Sequence, residues 1–182
     1  MPGLVTSEMR RRAKAINFGI IYGMGPHGLA AELGTSMGEA SEYIAAYFAH
    51  YNGVSAFIDK TIEDATEKGY TETIYGRRRF VPELSATSPQ VVRFGERVAV
   101  NTPVQGSAAD IIKAAMISVD KRLSSNFSSR MLLQVHDELV LEVKDSESVE
   151  VEALLIEEME GVIKLKVPLV VNVSTAKRWD KA

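Results

Sequence analysis

The stretch 131-MLLQVHDELVLEV-143 decides how the second half of this chain is read. Met131, Leu133 and Val135 alternate with Leu132 and Gln134, and past the polar centre Leu139, Leu141 and Val143 alternate with Val140 and Glu142. Period-two alternation on both flanks predicts two half-buried strands. His136, Asp137 and Glu138 then fall at the turn between them. Tight hairpin turns favour glycine, often after asparagine or aspartate, because their backbone reaches positive φ. This turn has no glycine, so turn chemistry alone does not account for it. Local rules are broken most often at functional sites.

Helical patterns dominate upstream of the hairpin. Thr6 or Ser7 can cap a first helix through EMRRRAKAINFGIIYG, with Glu8 favourable in its first turn and a stop near GMGP. GLAAEL predicts a short helix ended by Gly34, and Ser36 to Glu39 reads as a capping box. That box opens a helix with Ala40, Ile44, Tyr47, Phe48 and Tyr51 at helical spacing. Val54, Phe57, Ile58, Ile62 and Ala65 mark another, ended by Gly69. YTETIYGRRRFVPEL reads as a short hairpin turning at Tyr75-Gly76. Pro103 must kink or interrupt a helix around residues 90–102, and a long amphipathic helix runs from Ser107. SSNFSS is a loop, Val149 to Ile163 an acidic helix, and VPLVVNVS a last strand. The fold class expected is α+β, with a mostly helical lobe over residues 1–93 and a mixed lobe over 94–182.

Composition narrows the function classes. The chain has 182 residues, 46% hydrophobic and 25% charged, as globular domains have. Net charge is −3, so the surface as a whole is not a basic glove for nucleic acid. The cations are local: Arg10, Arg11, Arg12 and Lys14 face only Glu8 within the first 24 residues, so an anionic partner meets this segment first. There is no cysteine, which excludes disulfides and thiolate metal sites. No apolar run approaches the ~20 residues of a membrane span, and the N-terminus is too polar for a signal peptide. The expectation is a soluble intracellular protein with no membrane partner.

Three constellations can carry chemistry. Arg10, Lys14, Phe18 and Tyr22 stand four residues apart, a slow spiral of two cations and then two rings along one helix. That order suits a ligand with a polyanion and a flat ring, such as a nucleoside triphosphate, with the cations on the phosphates. The alternative is a solvated basic helix end with core aromatics, but mid-helix Gly19 costs roughly 1 kcal/mol against alanine and asks for a close contact. Asp137 with Glu138 offers hard carboxylate oxygens of the kind Mg²⁺ prefers, although adjacent strand residues point apart and the pair is equally an ordinary polar tip. Two such ions a few Å apart can activate an attacking hydroxyl and steady a leaving pyrophosphate. Arg97, Asn101 and Gln105 repeat every four residues and share a face only if helical geometry survives Pro103. Amide side chains suit the degenerate minor groove; a buried polar network is the alternative. Arg77 to Arg79 form a basic arm, and Tyr43, Tyr47 and Tyr51 read as packing. No nucleophile elbow, P-loop or zinc spacing is present.

Taken together, these segments closely resemble the family A DNA polymerases, the bacterial polymerase I type. RRRAKAINFGIIYG resembles the family's motif B and QVHDELVLEV its motif C. ERVAVNTPVQGSAADIIKAAM resembles the segment between them, and KRWDKA the way bacterial members end. The resemblance implies a fragment of a template-directed enzyme of DNA replication and repair. Arg10 and Lys14 would grip the triphosphate of an incoming deoxynucleotide, Phe18 would pack near its sugar, and Tyr22 would sit by the template base. Asp137 would be the catalytic metal ligand for Mg²⁺, with two ions in the intact enzyme and Glu138 in a lesser role. His136, Arg97, Asn101 and Gln105 would contact primer–template DNA. Residues 1–93 would be the fingers, with the motif B helix near 7–23, and 94–182 the C-terminal part of the palm.

The family's second metal-binding aspartate lies before motif B, and no aspartate precedes Arg10 here. The expectation is therefore a C-terminal piece of a longer, bacterial, cytoplasmic and nucleoid-associated polymerase. Alone it would be inactive, would need the upstream remainder of the polymerase as a partner, and would self-associate through exposed core. Two other readings stay open: a non-catalytic DNA- or nucleotide-binding module, and a single-subunit RNA polymerase relative.

Overall fold

Of the two caps the sequence allows, Thr6 starts the chain's first helix, its hydroxyl accepting a hydrogen bond from the Met9 amide at 3.1 Å. The computed structural model describes residues 5–179. Helix α1 (Ser7–Ile21) ends where Gly23 takes φ 85°, with Gly23 N–H donating to Ile20 and Met24 N–H to Gly19. Those two reversed bonds close a Schellman cap, which a left-handed glycine makes cheaply. Helix α2 (Pro26–Leu33) stops at left-handed Gly34. Ser36 and Glu39 form both bonds of the capping box at the start of α3 (Met37–His50). Helix α4 (Asn52–Lys68) ends at left-handed Gly69.

The chain forms two compact units that divide between Gly106 and Ser107. In the first, Ile16 and Ile20 of α1 pack with Leu29 and Ala30 of α2 and Ala40 of α3. Strands β1 (Tyr70–Glu72) and β2 (Arg78–Phe80) form an antiparallel hairpin beyond α4. The Thr71 hydroxyl donates to the Ala99 carbonyl of α5 (Pro89–Asn101) at 3.2 Å, which seats one face of that hairpin on the helix. Residues 93 and 94 lie inside α5, so the compact units do not divide at the sequence-based 93/94 boundary. Pro103 interrupts the α-helix, as the sequence requires: α5 ends at Asn101 and α-helix resumes only at Ser107. Thr102–Gly106 form one π-helical turn, whose wider i→i+5 ladder tolerates the donor that proline lacks.

The second unit opens with α6 (Ser107–Asn126), which extends into the stretch expected to be loop. Val119 and Leu123 of α6 pack against Val151, Leu154 and Leu155 of α7 (Ser148–Glu160). Between them lies the hairpin of β3 (Arg130–Val135) and β4 (Glu138–Glu142). Met131 and Leu141 pair across it and, with Val143, lie on the helical core. The expected common face of Met131, Leu133 and Val135 is not formed. An irregularity between Met131 and Leu133 bulges Leu132 out of the ladder, so Leu133, opposite Val140, falls on the other face.

Glu147, at the start of α7, fastens the hairpin's root: its carboxylate accepts from the Ser128 and Ser129 amides at 3.1 and 3.0 Å and from the Ser129 hydroxyl. The expected last strand, residues 167–174, is not one, because among the described residues no strand pairs with it. Val173 nevertheless packs on the core, and the Val171 amide donates to Glu160 at 2.9 Å. The last three residues of KRWDKA lie outside the described residues. The fold class is α+β, helices with two small antiparallel hairpins. Among the described residues no helix is long and apolar enough to cross a membrane.

Candidate nucleotide and nucleic-acid interface

Helix α1 presents two faces. Ile16 and Ile20 are buried, while Arg10, Lys14 and Phe18 are exposed and Tyr22 is half-buried. The neighbouring cations are engaged in other contacts: Arg11 pairs with Glu8 at 2.8 Å, and Arg12 donates to the Leu33 carbonyl at the end of α2 at 3.3 Å. The stripe itself is ordered by its rings. Phe18 and Tyr22 stack at 6.0 Å between centroids with 22° between planes, and the Lys14 ammonium lies 5.9 Å from the Phe18 centroid. At Gly19 a Cβ would stand 2.5 Å from the Met24 methyl, the movable end of a side chain that lies over the helix at this point.

A cleft of about 700 Å³ opens between α1 and α3, lined by Arg10, Lys14, Asn17 and Phe18 on one side and Tyr43, Tyr47 and Tyr51 on the other. The tyrosine stripe is thus only partly packing. Tyr47 packs against the core and its hydroxyl donates to Asn17 at 2.6 Å; burial pushes its phenol pKa up. Tyr43 and Tyr51 stand about half exposed in the cleft. Their four-residue spacing was the available signal, but packing and lining share it.

Arg97, Asn101 and Gln105 end the first unit. Arg97 is exposed, lies 5.9 Å from the Phe94 ring, and its stem passes close over Gly23, where a Cβ would meet it at 3.0 Å. The structure therefore brings Arg97 beside the C-terminal end of α1, next to Tyr22. Asn101 is half-buried, and its side-chain oxygen is buried with no hydrogen-bond partner among the described residues. Gln105 is exposed on the π turn.

His136 and Asp137 form the two-residue turn of the second unit's hairpin, and Val135 pairs with Glu138 to close it. His136 takes φ 55°, the left-handed conformation that glycine would supply, and the Gln134 amide donates to its carbonyl. The turn thus does carry the positive φ that its type demands, on a residue that pays for it. Asp137 and Glu138 are both exposed, Asp137 in the turn and Glu138 on the strand. Their carboxylates are hard donors open to solvent, which fits an ion that keeps several waters and takes one or two protein carboxylates. Among the described residues no three His, Cys, Asp or Glu side chains gather where they could hold a metal ion.

Comparison with known proteins gives one answer. The family model for DNA polymerase family A matches residues 2–181. DNA polymerase I of Mycobacterium tuberculosis is 49% identical over 179 residues, 98% of this chain and 20% of that protein. DNA polymerase I of Streptococcus pneumoniae is 45% identical over 182 residues, 100% of this chain and 21% of that protein. The solved POL domain of Pol1 from M. smegmatis, in complex with DNA primer-template and dNTP, superposes with a TM-score of 0.88 at 46% identity, covering 92% of this chain and 30% of that one. The chain spans about a fifth of the length of the curated relatives it matches.

Proposed function

The chain belongs to DNA polymerase family A, and from that premise we infer that it supplies the nucleotide-gripping and part of the catalytic surface of a template-directed DNA polymerase. The observation that carries this is the stripe on α1: two exposed cations followed by two stacked rings, within a family whose members are named for DNA synthesis. Arg10 and Lys14 hold the triphosphate, Phe18 faces its sugar, and Tyr22, with Arg97 beside it, borders the nascent pair. Arg97, Asn101 and Gln105 contact the primer–template duplex from the first unit, and His136 from the second. The partners are then primer–template DNA, deoxynucleoside triphosphates and the remainder of a longer polymerase chain, in replication and repair. Residues 1–93 act as fingers and 94–182 as the C-terminal palm.

The reaction joins the primer 3′-hydroxyl oxygen to the α-phosphorus, and the bond to pyrophosphate breaks. Asp137 would hold Mg²⁺, with Glu138 beside it; a bound divalent ion supplies Lewis acidity to the attacking and leaving oxygens. Lys14 and Arg10 neutralise the phosphates and align the triphosphate for in-line attack. Phe18 and Tyr22 position the sugar and base by ring contact. The Asp137 and Glu138 carboxylates do not gather with a third His, Cys, Asp or Glu among the described residues. We expect this chain alone, about a fifth of the length of the relatives it matches, not to extend primers.

Primer extension tests the reading, with the chain alone and with a chimera in which it replaces the matching fifth of a polymerase I relative. Extension by the chimera alone supports it. Extension by the isolated chain overturns the division of the site, and a dead chimera that still folds overturns the assignment. Retained DNA affinity in that dead chimera would favour a non-catalytic binding module.

A further inference from the structure

The β1–β2 hairpin is used neither by the nucleotide grip nor by the catalytic turn, yet it is bonded to α5 and to the π turn beyond it at two places. The Thr71 hydroxyl donates to the Ala99 carbonyl at 3.2 Å, and the Arg77 guanidinium donates to the Gly106 carbonyl at 3.0 Å. Those two carbonyls bracket residues 101–105, the stretch that carries Asn101 and Gln105. Both bonds end on backbone oxygens, so they fix the course of the chain there and not the side chains it bears.

The end of the hairpin that reaches Gly106 is itself held tightly. The Thr73 amide donates to the Arg77 carbonyl at 3.0 Å, and the Thr73 hydroxyl accepts from the Tyr75 and Arg77 amides at 3.3 and 3.2 Å. Thr73 is buried, and a Cβ on Gly106 would stand 2.8 Å from its methyl and 3.5 Å from the Arg77 guanidinium. A β-branched side chain is stiff and has little room to give way, so the close seat depends on glycine at position 106. The segment being held is unusual. Thr102–Gly106 is the π turn, a form that is rare and concentrated at functional sites. Gly106 closes that turn, and Gln105 stands exposed just before it.

We propose that Arg77 is a positioning residue for the primer–template duplex: by holding the Gly106 carbonyl it keeps the π turn in the shape that presents Gln105. The proposal rests on the reading of Gln105 as a duplex contact given above. The competing role for Arg77 is a phosphate contact of its own, and the two differ measurably. A positioning residue has no further effect once the side chain it positions is gone. A phosphate contact acts whether or not Gln105 is present, and it releases counterions.

The test is fluorescence anisotropy of the whole chain with a labelled blunt duplex over a range of salt, for Arg77→Ala, Gln105→Ala and the double variant. Gln105→Ala should weaken binding about fivefold, the usual effect of one hydrogen bond. Arg77→Ala should weaken it by a similar factor with an unchanged salt slope, and the double variant should be no weaker than Gln105→Ala alone. Gly106→Ala opens the same joint from the other side and should copy Arg77→Ala, so the cycle can be run with it if Arg77→Ala does not fold. Losses that multiply in the double variant overturn the positioning role. So does a salt slope lowered by about 0.9 in Arg77→Ala, which would make Arg77 a phosphate contact. Unchanged affinity in Arg77→Ala, with Gln105→Ala still weakened, overturns this proposal alone. No loss in Gln105→Ala, or no duplex binding by the wild-type chain, overturns the duplex-contact reading and the proposal with it.

Discussion

Replacing His136 by glycine should make the protein more stable and its chemistry worse. His136 holds φ 55°, where an L-residue with a Cβ is disfavoured by roughly 1–2 kcal/mol. Glycine removes that strain, but its freer unfolded chain returns about 0.4–1 kcal/mol. The ring is exposed, so little packing is lost with it. The net expectation is a gain of about 0.5–1 kcal/mol, or roughly 1–4 °C in Tm for a chain of this size. His136→Ala keeps the strained Cβ and loses the relative tolerance of histidine for this region, so it should be no more stable than wild type. Urea unfolding followed by circular dichroism on the three proteins orders them, with unchanged slope required if only the native turn is affected. In the chimera, His136→Gly should weaken primer–template binding while stability rises, the usual opposition at a functional site. Equal stability of the glycine and alanine variants would show that the turn does not hold a left-handed residue, and the argument from strain would fail.

Glu39 gives a pH signature. Hydrogen bonds from the Thr35 hydroxyl, the Ser36 amide and the Ser36 hydroxyl pull its carboxyl down to about 2 from 4.5. A depressed folded value adds stability above the unfolded value that is lost as pH falls toward 2, so Glu39→Gln should be less stable than wild type at pH 7, with the gap closing across that window in urea melts. Leu123→Ala empties a fully buried site between α6 and α7 and should cost about 2–5 kcal/mol by denaturant unfolding. In the chimera, Asp137→Ala should abolish turnover and leave DNA affinity nearly intact; a tenth of the activity remaining would rule out the metal role. Lys14→Ala should mainly raise the KM for nucleotide, and an equal loss of primer–template affinity would make it a DNA contact instead.

The elements legible in the sequence were those governed by local rules. The capping box at Ser36, the stops at Gly34 and Gly69, and the Thr6 cap each depend on a few adjacent residues, and each formed as read. What escaped depends on distant partners. Residues 167–174 have strand composition, but strand structure needs a neighbour to pair with. Pro103 announces an interruption without saying which one, since a kink, a break and a π turn all accommodate a missing donor. Tyr43 and Tyr51 could not be told from core residues, because helical spacing shows which residues share a face and not what lies opposite. On α1, spacing placed the stripe on one face, but only coordinates show that Arg11 and Arg12 are held by Glu8 and by the end of α2.

The bulge at Leu132 separates two sets of obligations within one hairpin. A ladder of period two has only two phases, so a regular hairpin must orient its tip by whatever its root requires. The root here shows Met131 and Leu141 to the helices, while the tip, under the proposed function, presents Asp137. One extra residue lets each end keep its own phase. Leu132 is itself 48% exposed, so its identity should matter little, yet its presence sets which way everything beyond it faces. A scan of this strand should find position 132 permissive to substitution and intolerant of deletion, a site where the message is carried by chain length and not by chemistry.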